Sequence, residues 1–355
     1  MKEVLNFLRN AVESDASDIF IVSGQRLSAK IEGRIRPVGD DEIVMPDKSD
    51  ELVKMLYHIA LRPMDHYLAK GDDDFSFSVK GLSRFRVSAY KQRGSMAAVI
   101  RVVRFGLPDP KEFGIPDEVL AVSQKARGLV LVTGPAGNGK STTLACITDT
   151  INSTRNAHII TIEDPIEYLH RNKESIVSQR EINMDTESYL TALRACLRQA
   201  PDVILLGEMR DLDTIRTAMT AAETGHLVIS TLHTLGAVNT IDRIIDVFPS
   251  DQQQQIRVQL SMILQTVISQ QLIPTESGKQ QPVFEIMHLN SAIRNMIRDS
   301  KVHQIDAVIQ SSSSEGMIGM DASIFDLYKN NVISAETAVK FAFNADQMGR
   351  KISPD

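Results

Sequence analysis

"VTGPAGNGKSTT", residues Val132 to Thr143, decides how the rest of the chain is read. Gly134, Gly139, Lys140 and Ser141 meet the phosphate-loop pattern GxxxxGK[ST]. The strand-like run "LVLVT" precedes the loop and a helix beginning "STTLACI" follows it. Backbone N–H groups and a helix N-terminus therefore converge on an anion. The cradle runs through Gly134, Pro135, Ala136, Gly137, Asn138, Gly139, Lys140, Ser141 and Thr142. Lys140 is expected to neutralise the β and γ phosphates of ATP, and the Ser141 hydroxyl to ligate Mg²⁺. Switches, small-molecule kinases, helicases and mechanical motors all use such a loop. It identifies the ligand and leaves the purpose open.

Three later stretches narrow the purpose. "IITIEDPIE" reads as a strand ending in Glu163 and Asp164 and stopped by Pro165. Carboxylates at the C-terminal end of a parallel strand face the crevice where ligands bind, although the same residues would also suit a cap before the proline. "VILLGEMRD" is a further strand. Where a Walker B strand usually ends in aspartate this one has Gly207, and Glu208 follows. Glu208 is then a candidate for Mg²⁺, through water, or for the attacking water itself. "HLVIST" is bracketed by His226 and His233, and an imidazole near the γ phosphate would report whether the nucleotide is ATP or ADP.

Bulk properties remove several classes. A chain of 355 residues suggests about two domains. Its 43% hydrophobic and 24% charged residues are those of a folded protein. A net charge of -6, with 5% aromatics and no tryptophan, argues against a nucleic-acid partner, which would ask for a basic stripe with stacking rings. Cys146 and Cys196 show no metal spacing, so buried thiols in a reducing compartment are expected. The N-terminal stretch lacks the apolar region of a secretory signal. No apolar run approaches the ~20 residues that span a bilayer. A cytoplasmic protein follows, reaching a membrane only through a partner.

The first hundred residues read as a small α+β unit. "VLNFLRNAVE" places Val4, Leu5, Leu8 and Val12 at helical spacing, and "DIFIV" switches to a strand. A hairpin is expected around Glu32 and Gly33, with Leu27, Ala29 and Ile31 facing inward. A second turns around Lys80 and Gly81. It sets Phe75, Phe77 and Val79 with Phe85, Val87 and Ala89, leaving Arg84, Arg86 and Ser88 to face the other way. Prolines and glycines between Arg104 and Val119 read as a linker with a hinge. The expected boundaries are 1–104, a linker over 105–117, a three-layer α/β domain over 118–290 with a buried parallel sheet, and a mostly helical region over 291–355.

With "GPAGNGKSTT", "IITIEDPIEY", "RQAPDVILLGEMRD" and "AAETGHLVISTLHT" in this order, the chain resembles the secretion-type ATPases that drive type IV pili and type II secretion. "SDIFIVSG" and "SRFRVSAY" are similar to that family's PAS-like N-terminal domain, so the likeness runs through nearly all of the chain. The resemblance implies an α/β fold in which a PAS-like α+β domain is linked to a RecA-like P-loop ATPase domain with C-terminal helices. It also implies a homohexamer with nucleotide held between the two domains. Glu163 is then implied as the residue that orients or deprotonates water, Glu208 as the holder of Mg²⁺ through its water shell, and His233 as the coupling of γ phosphate to rotation. At least one of Arg84, Arg86, Arg101 and Arg104 is implied as an arginine finger.

Within the family the likeness is to the retraction branch. Assembly ATPases carry a further N-terminal domain and commonly a four-cysteine zinc motif, whereas this chain opens at the PAS-like unit and has two cysteines. "AIRNMIRD", Ala292 to Asp299, is similar to a stretch associated with retraction; by itself it is an amphipathic helix with Ile293, Met296 and Ile297 on one face and Arg294 and Arg298 on another. The implied function is a motor for pilus retraction and twitching motility. Its partner would be the cytoplasmic side of a polytopic pilus platform protein. An accessory retraction paralogue and a RecA-like nucleic-acid translocase are the alternatives. Ala136 and Asn138, where the family commonly has threonine and serine, are expected to leave phosphate binding intact.

Overall fold

The computed structural model describes residues 2–38, 42–103 and 106–353. The chain divides into two compact units, residues 1–106 with 167–169, and residues 107–166 with 170–355. Each is considered by itself.

The first unit is an antiparallel sheet ordered β3-β2-β1-β6-β5-β4. Its strands are β1 (Asp18–Ile21), β2 (Ser28–Ile31), β3 (Arg34–Pro37), β4 (Asp72–Val79), β5 (Ser83–Gln92) and β6 (Ser95–Val103). The helix Lys2–Glu13 buries Val4, Phe7, Leu8 and Ala11. Leu5 and Val12, which spacing had placed in the stripe, lie at its margin, because Phe7 and Ala11 give the better 3.6-residue face. Glu32 and Gly33 turn β2 into β3 with φ of 50° and 77°, as a tight two-residue hairpin requires. Phe77 lies opposite Phe85 and Phe75 opposite Val87, and all four are buried. Alternation then sends Arg84 and Arg86 to the other face, where Arg86 lies across from Arg101.

A buried ion pair pins this unit. The Arg62 guanidinium donates to both Asp73 carboxylate oxygens, at 2.9 and 2.7 Å, and Tyr57 Oη donates to Asp73 at 3.1 Å. Asp73 is 2% exposed in its side chain, so removing it takes the carboxylate from a part-buried cation and a buried hydroxyl. Asp73→Ala is expected to destabilise the unit by about 3 kcal/mol, read by urea unfolding. A loss below about 1 kcal/mol would mean that water replaces the carboxylate.

The second unit is a seven-stranded sheet ordered β13-β12-β7-β11-β10-β8-β9. Its strands are β7 (Gly128–Thr133), β8 (His158–Glu163), β9 (Ile176–Glu181), β10 (Val203–Leu206), β11 (Leu227–Leu232), β12 (Leu264–Pro274) and β13 (Gln280–His288). All pairs are parallel except β12 with β13. β7, β10 and β11 are buried at every position, which is why they read as largely apolar runs without polar alternation. Residues 107–117, read above as linker, belong to this unit: Ile115 is buried in the core with Val119 and Phe284. Proline and glycine shape that segment without freeing it.

Beyond β13 the chain is helical, with Ser291–Arg298, Ile305–Ser311, Met320–Lys329, Ala335–Phe341 and Ala345–Ile352. In the first of these Ile293 and Ile297 are buried against the core that the helix Gln253–Ile263 also enters, while Arg294 and Arg298 stay outside. Among the described residues no helix is long and apolar enough to cross a membrane. Both cysteines are buried, and burial pushes their thiols up to about 11.

Glu285 of β13 is buried beneath these helices and accepts from the Ala237 N–H at 2.7 Å. Burial pushes its carboxyl up to about 7, the Ala237 and Met320 N–H groups opposing and Asp306 and Asp321 adding to the rise. Between the ordinary value of 4.5 and about 7 the folded chain keeps a proton that the unfolded chain has released. Stability therefore falls as pH rises through that window. Glu285→Gln is expected to flatten this slope, raising the melting temperature at pH 8 and less at pH 5. Parallel melting curves against pH for the two proteins would refute it.

Candidate functional site

The phosphate loop leaves the C-terminal end of β7 and enters the helix Lys140–Thr154. Its conformation needs glycine. Gly134 has φ of 141°, and a side chain there would run into the Gln270 carbonyl of β12. Gly139 has φ of 79° at the helix entry, with the Gln270 amide 2.9 Å from where a Cβ would stand. Lys140 is 9% exposed, and its Nζ donates to the carbonyls of Gly134 at 2.8 Å and Pro135 at 3.0 Å. The same ammonium lies 3.4 Å from His233 Nδ1. Ser141 and Thr142 are half-buried on the first turn.

Asn138 does more than fill a loop position. Its Oδ1 accepts from the Leu272 N–H of β12 at 2.7 Å, and its Nδ2 lies 3.3 Å from the carbonyls of both Pro135 and Ala136. One amide thus ties the loop to the neighbouring strand, which a serine hydroxyl is too short and too poor in donors to repeat. Asn138→Ser is expected to cost about 1 kcal/mol of stability, measured by chemical denaturation. An unchanged midpoint would show the tie to be idle.

Glu208, Arg210 and His233 gather beside the lysine. Glu208 lies just beyond β10, with Oε1 2.5 Å from Arg210 Nη2 and Oε2 3.3 Å from His233 Nε2. Burial works against its charge, but the hydrogen bond and charge of Arg210, with His233, outweigh it and hold the carboxyl below its usual range. Lys140, His233 and Glu208 so form one connected row across the ends of β7, β11 and β10. Glu163 ends β8, next to β10. Its Oε1 accepts from Thr161 Oγ1 at 2.6 Å and from Gln179 Nε2 at 3.1 Å.

The glycine in place of the Walker B aspartate has a steric reason. A Cβ at Gly207 would stand 2.9 Å from the Tyr189 hydroxyl and 3.3 Å from the Ile162 carbonyl. Aspartate there would displace the tyrosine, whose hydroxyl burial and the nearby Asp164 and Glu208 carboxylates keep protonated. The first carboxylate beyond β10 is therefore one residue along, at Glu208.

One expected site residue stands elsewhere. His226 precedes β11 and His233 follows it, so the two lie at opposite ends of that strand: seven residues at ~3.3 Å each separate the two backbone positions by roughly 20 Å. His226 Nδ1 is 2.9 Å from the Ala221 carbonyl and 3.3 Å from Thr224 Oγ1, a local turn contact. Flanking a strand is not sharing its active end. Arg104 lies outside the described residues. Arg84, Arg86 and Arg101 share one face of β5 and β6 in the first unit, where Arg101 pairs with Asp18 at 3.1 Å.

Sequence reasoning missed Arg210, Gln179, Gln270 and Tyr189. Arg210 had a signal, being a cation two residues from a candidate carboxylate on extended chain. The other three reach the site only through tertiary structure.

The donor set suits a hard divalent cation bound through phosphate oxygens and water. Among the described residues no group of three or more His, Cys, Asp or Glu forms a metal cage of its own. Mg²⁺ needs none: it is usually held by one or two protein oxygens, substrate phosphates and several waters. The Ser141 hydroxyl and Glu208 carboxylate are oxygens of that kind.

Comparison with known proteins adds kinship. The model of the family described as type II/IV secretion system protein matches residues 1–325. The type IV pilus retraction ATPase PilT of Pseudomonas aeruginosa is 42% identical over 340 residues, covering 95% of this chain and 97% of that one. The type IV pilus ATPase PilU of the same organism is 37% identical over 347 residues, 98% of this chain and 90% of its own. The crystal structure of the pilus retraction motor PilT with bound ADP superimposes with a TM-score of 0.89, at 44% identity and 98% coverage of both chains.

Proposed function

The chain belongs to the type II/IV secretion system protein family, and from that premise we propose that it is an ATPase motor for retraction of type IV pili. The observation that carries the reading is the row Lys140–His233–Glu208, which joins the phosphate loop to the acidic strand end within one unit. Kinship to PilT over 95% of the chain supports retraction, and the lower identity to PilU favours motor over accessory paralogue. A translocase reading finds no such support.

In this reading the second unit is a RecA-like ATPase core over 118–290 with helices over 291–355, and the first a PAS-like domain over 1–104. Lys140 leaves the Gly134 and Pro135 carbonyls to neutralise β and γ phosphate oxygens of ATP, while the loop's N–H groups hold the rest. Ser141 and Glu208 would hold Mg²⁺, which supplies charge neutralisation of the phosphates. Glu163 orients the attacking water and takes its proton, and His233 exchanges its contact with Lys140 for one with the γ phosphate. An arginine-finger role for Arg84, Arg86, Arg101 or Arg104 belongs to the same proposal, because a cation near developing phosphoryl charge speeds such reactions. His226 has no chemical step in it.

Closure of a homohexameric ring around successive nucleotides would turn hydrolysis into rotation of a pilus platform protein at the cytoplasmic face of the membrane. The chain would be cytoplasmic and bound to the membrane only peripherally. The test is complementation in a strain whose pili assemble but cannot withdraw. Retraction restored by this gene alone is expected; rescue only alongside a second retraction ATPase would make it the accessory paralogue instead.

A further inference from the structure

Glu163 takes two donors on one carboxylate oxygen, and the second of them reaches across from the neighbouring strand. Oε1 accepts from Thr161 Oγ1 at 2.6 Å and from Gln179 Nε2 at 3.1 Å. We propose that Gln179 is a positioning residue for hydrolysis, setting the Glu163 carboxylate in the orientation that takes a proton from water. The proposal deepens the ATPase reading and rests on it, with Glu163 as the base. Every residue it uses belongs to the second unit.

Three observations lead there. The first is register. β8 and β9 pair in parallel, with Thr161 directly across from Gln179. Side chains two apart on a strand share a face, so Thr161, Glu163 and Gln179 converge on one side of the sheet. Just past β9 the Ile182 N–H donates to the Glu163 carbonyl at 2.9 Å, so the same stretch of chain holds both the backbone and the side chain of Glu163. Strands pair through their backbones, and that pairing asks for no amide at position 179.

The second is the direction of the amide. Gln179 Oε1 accepts from the His170 N–H at 2.8 Å. A backbone N–H can only donate, so the amide oxygen belongs on that side and the NH₂ group faces Glu163. The third is anchorage. The segment after His170 is tied to the helix Lys140–Thr154, whose first turn closes the phosphate loop. Asn152 of that helix is fully buried; its Nδ2 donates to the Arg171 carbonyl at 2.7 Å and its Oδ1 accepts from the Lys173 N–H at 3.2 Å. Its own carbonyl accepts from the Glu174 N–H at 3.0 Å and the Ser175 N–H at 3.2 Å. One continuous path thus runs from the helix that grips phosphate, through Asn152 and the His170 backbone, to the amide that orients the base.

Single-turnover hydrolysis and ATP calorimetry on the full chain test this, with melting curves to check folding. Gln179→Met keeps the length of the side chain and loses both polar ends. It is expected to slow hydrolysis by about 10 to 10²-fold, the scale of a misplaced reacting group, while ATP affinity stays within about threefold of wild type. Gln179→Glu keeps an acceptor for the His170 N–H but turns an oxygen towards Glu163, so it should slow hydrolysis at least as far, and it carries the test if the methionine variant does not fold. In a Glu163→Gln background Gln179→Met should cost no more than about twofold further, because a residue that acts through Glu163 has no base left to position. The full loss repeated in that background would make Gln179 a general support of the fold and overturn the proposal. So would wild-type hydrolysis by Gln179→Met or Gln179→Glu, with the ATPase reading left standing. A wild-type chain without turnover would sink that reading and the proposal together.

Discussion

Lys140→Ala lowers ATP turnover by about 10³-fold or more in a phosphate-release assay, the scale on which a cation aimed at a transferring phosphoryl group acts. The expectation follows from where the ammonium sits. Lys140 is nearly buried, donates to two carbonyls of its own loop and lies 3.4 Å from His233 Nδ1. Charged phosphate oxygens offer roughly twice the hydrogen-bond strength, and exchange onto them is favourable. Alanine removes that charge from a water-poor site where nothing else can replace it, and Arg210 is already committed to Glu208 at 2.5 Å. Arginine at 140 should not rescue, because the guanidinium is broader and its planar fork does not fit a slot shaped for a point charge. Turnover within about tenfold of wild type, in a variant that melts normally, would remove Lys140 from the chemistry.

How much of this was legible beforehand depends on how local each signal was. β7, β10 and β11 carry their burial in three or four consecutive branched apolar residues, which no neighbouring element can disguise. The hairpins at Glu32–Gly33 and Lys80–Gly81 were equally local, since a turn needs only its own φ angles. β12 was opaque because Gln265, Gln270 and Gln271 interrupt its apolar pattern, and a helix ends at Ile263 with no turn before the strand begins. Those glutamines are explained only in three dimensions: Gln270 fixes Thr143 beside the loop. Segment 107–117 misled for a related reason. Its prolines and glycines resemble punctuation, but Gly114 serves to admit the Gln281 amide and Ile115 enters the core.

Residue type and strand end were enough to expect Lys140, Glu208 and His233 side by side, where the structure has them, and not enough to set His226 apart. A strand has two ends, and chain direction decides which of them meets the loop. The replacement of aspartate by Gly207 was visible in the sequence, but its cause was not, because Tyr189 approaches from eighteen residues away along the chain.

Glu163→Gln is expected to separate binding from hydrolysis. Two carboxylates stand at adjacent strand ends, and their surroundings divide the work between them. Glu208 is held ionised by Arg210 and His233, which makes it a weak base but a good anchor for a cation's water shell. Glu163 accepts from Thr161 Oγ1 and Gln179 Nε2, which orient its carboxylate at the end of β8. Proton abstraction is the role proposed above for Glu163. Glutamine keeps the carbonyl oxygen for Thr161 and loses the basic site. ATP affinity by calorimetry should stay within about threefold of wild type, while single-turnover hydrolysis drops by about 10² to 10⁴-fold, the usual contribution of a positioned base. Glu208→Gln should instead raise the Mg²⁺ concentration needed for half-maximal rate as well as lower the rate, since it weakens the anchor. Wild-type turnover in Glu163→Gln would reverse the two roles and make Glu208 the base despite its cationic neighbours.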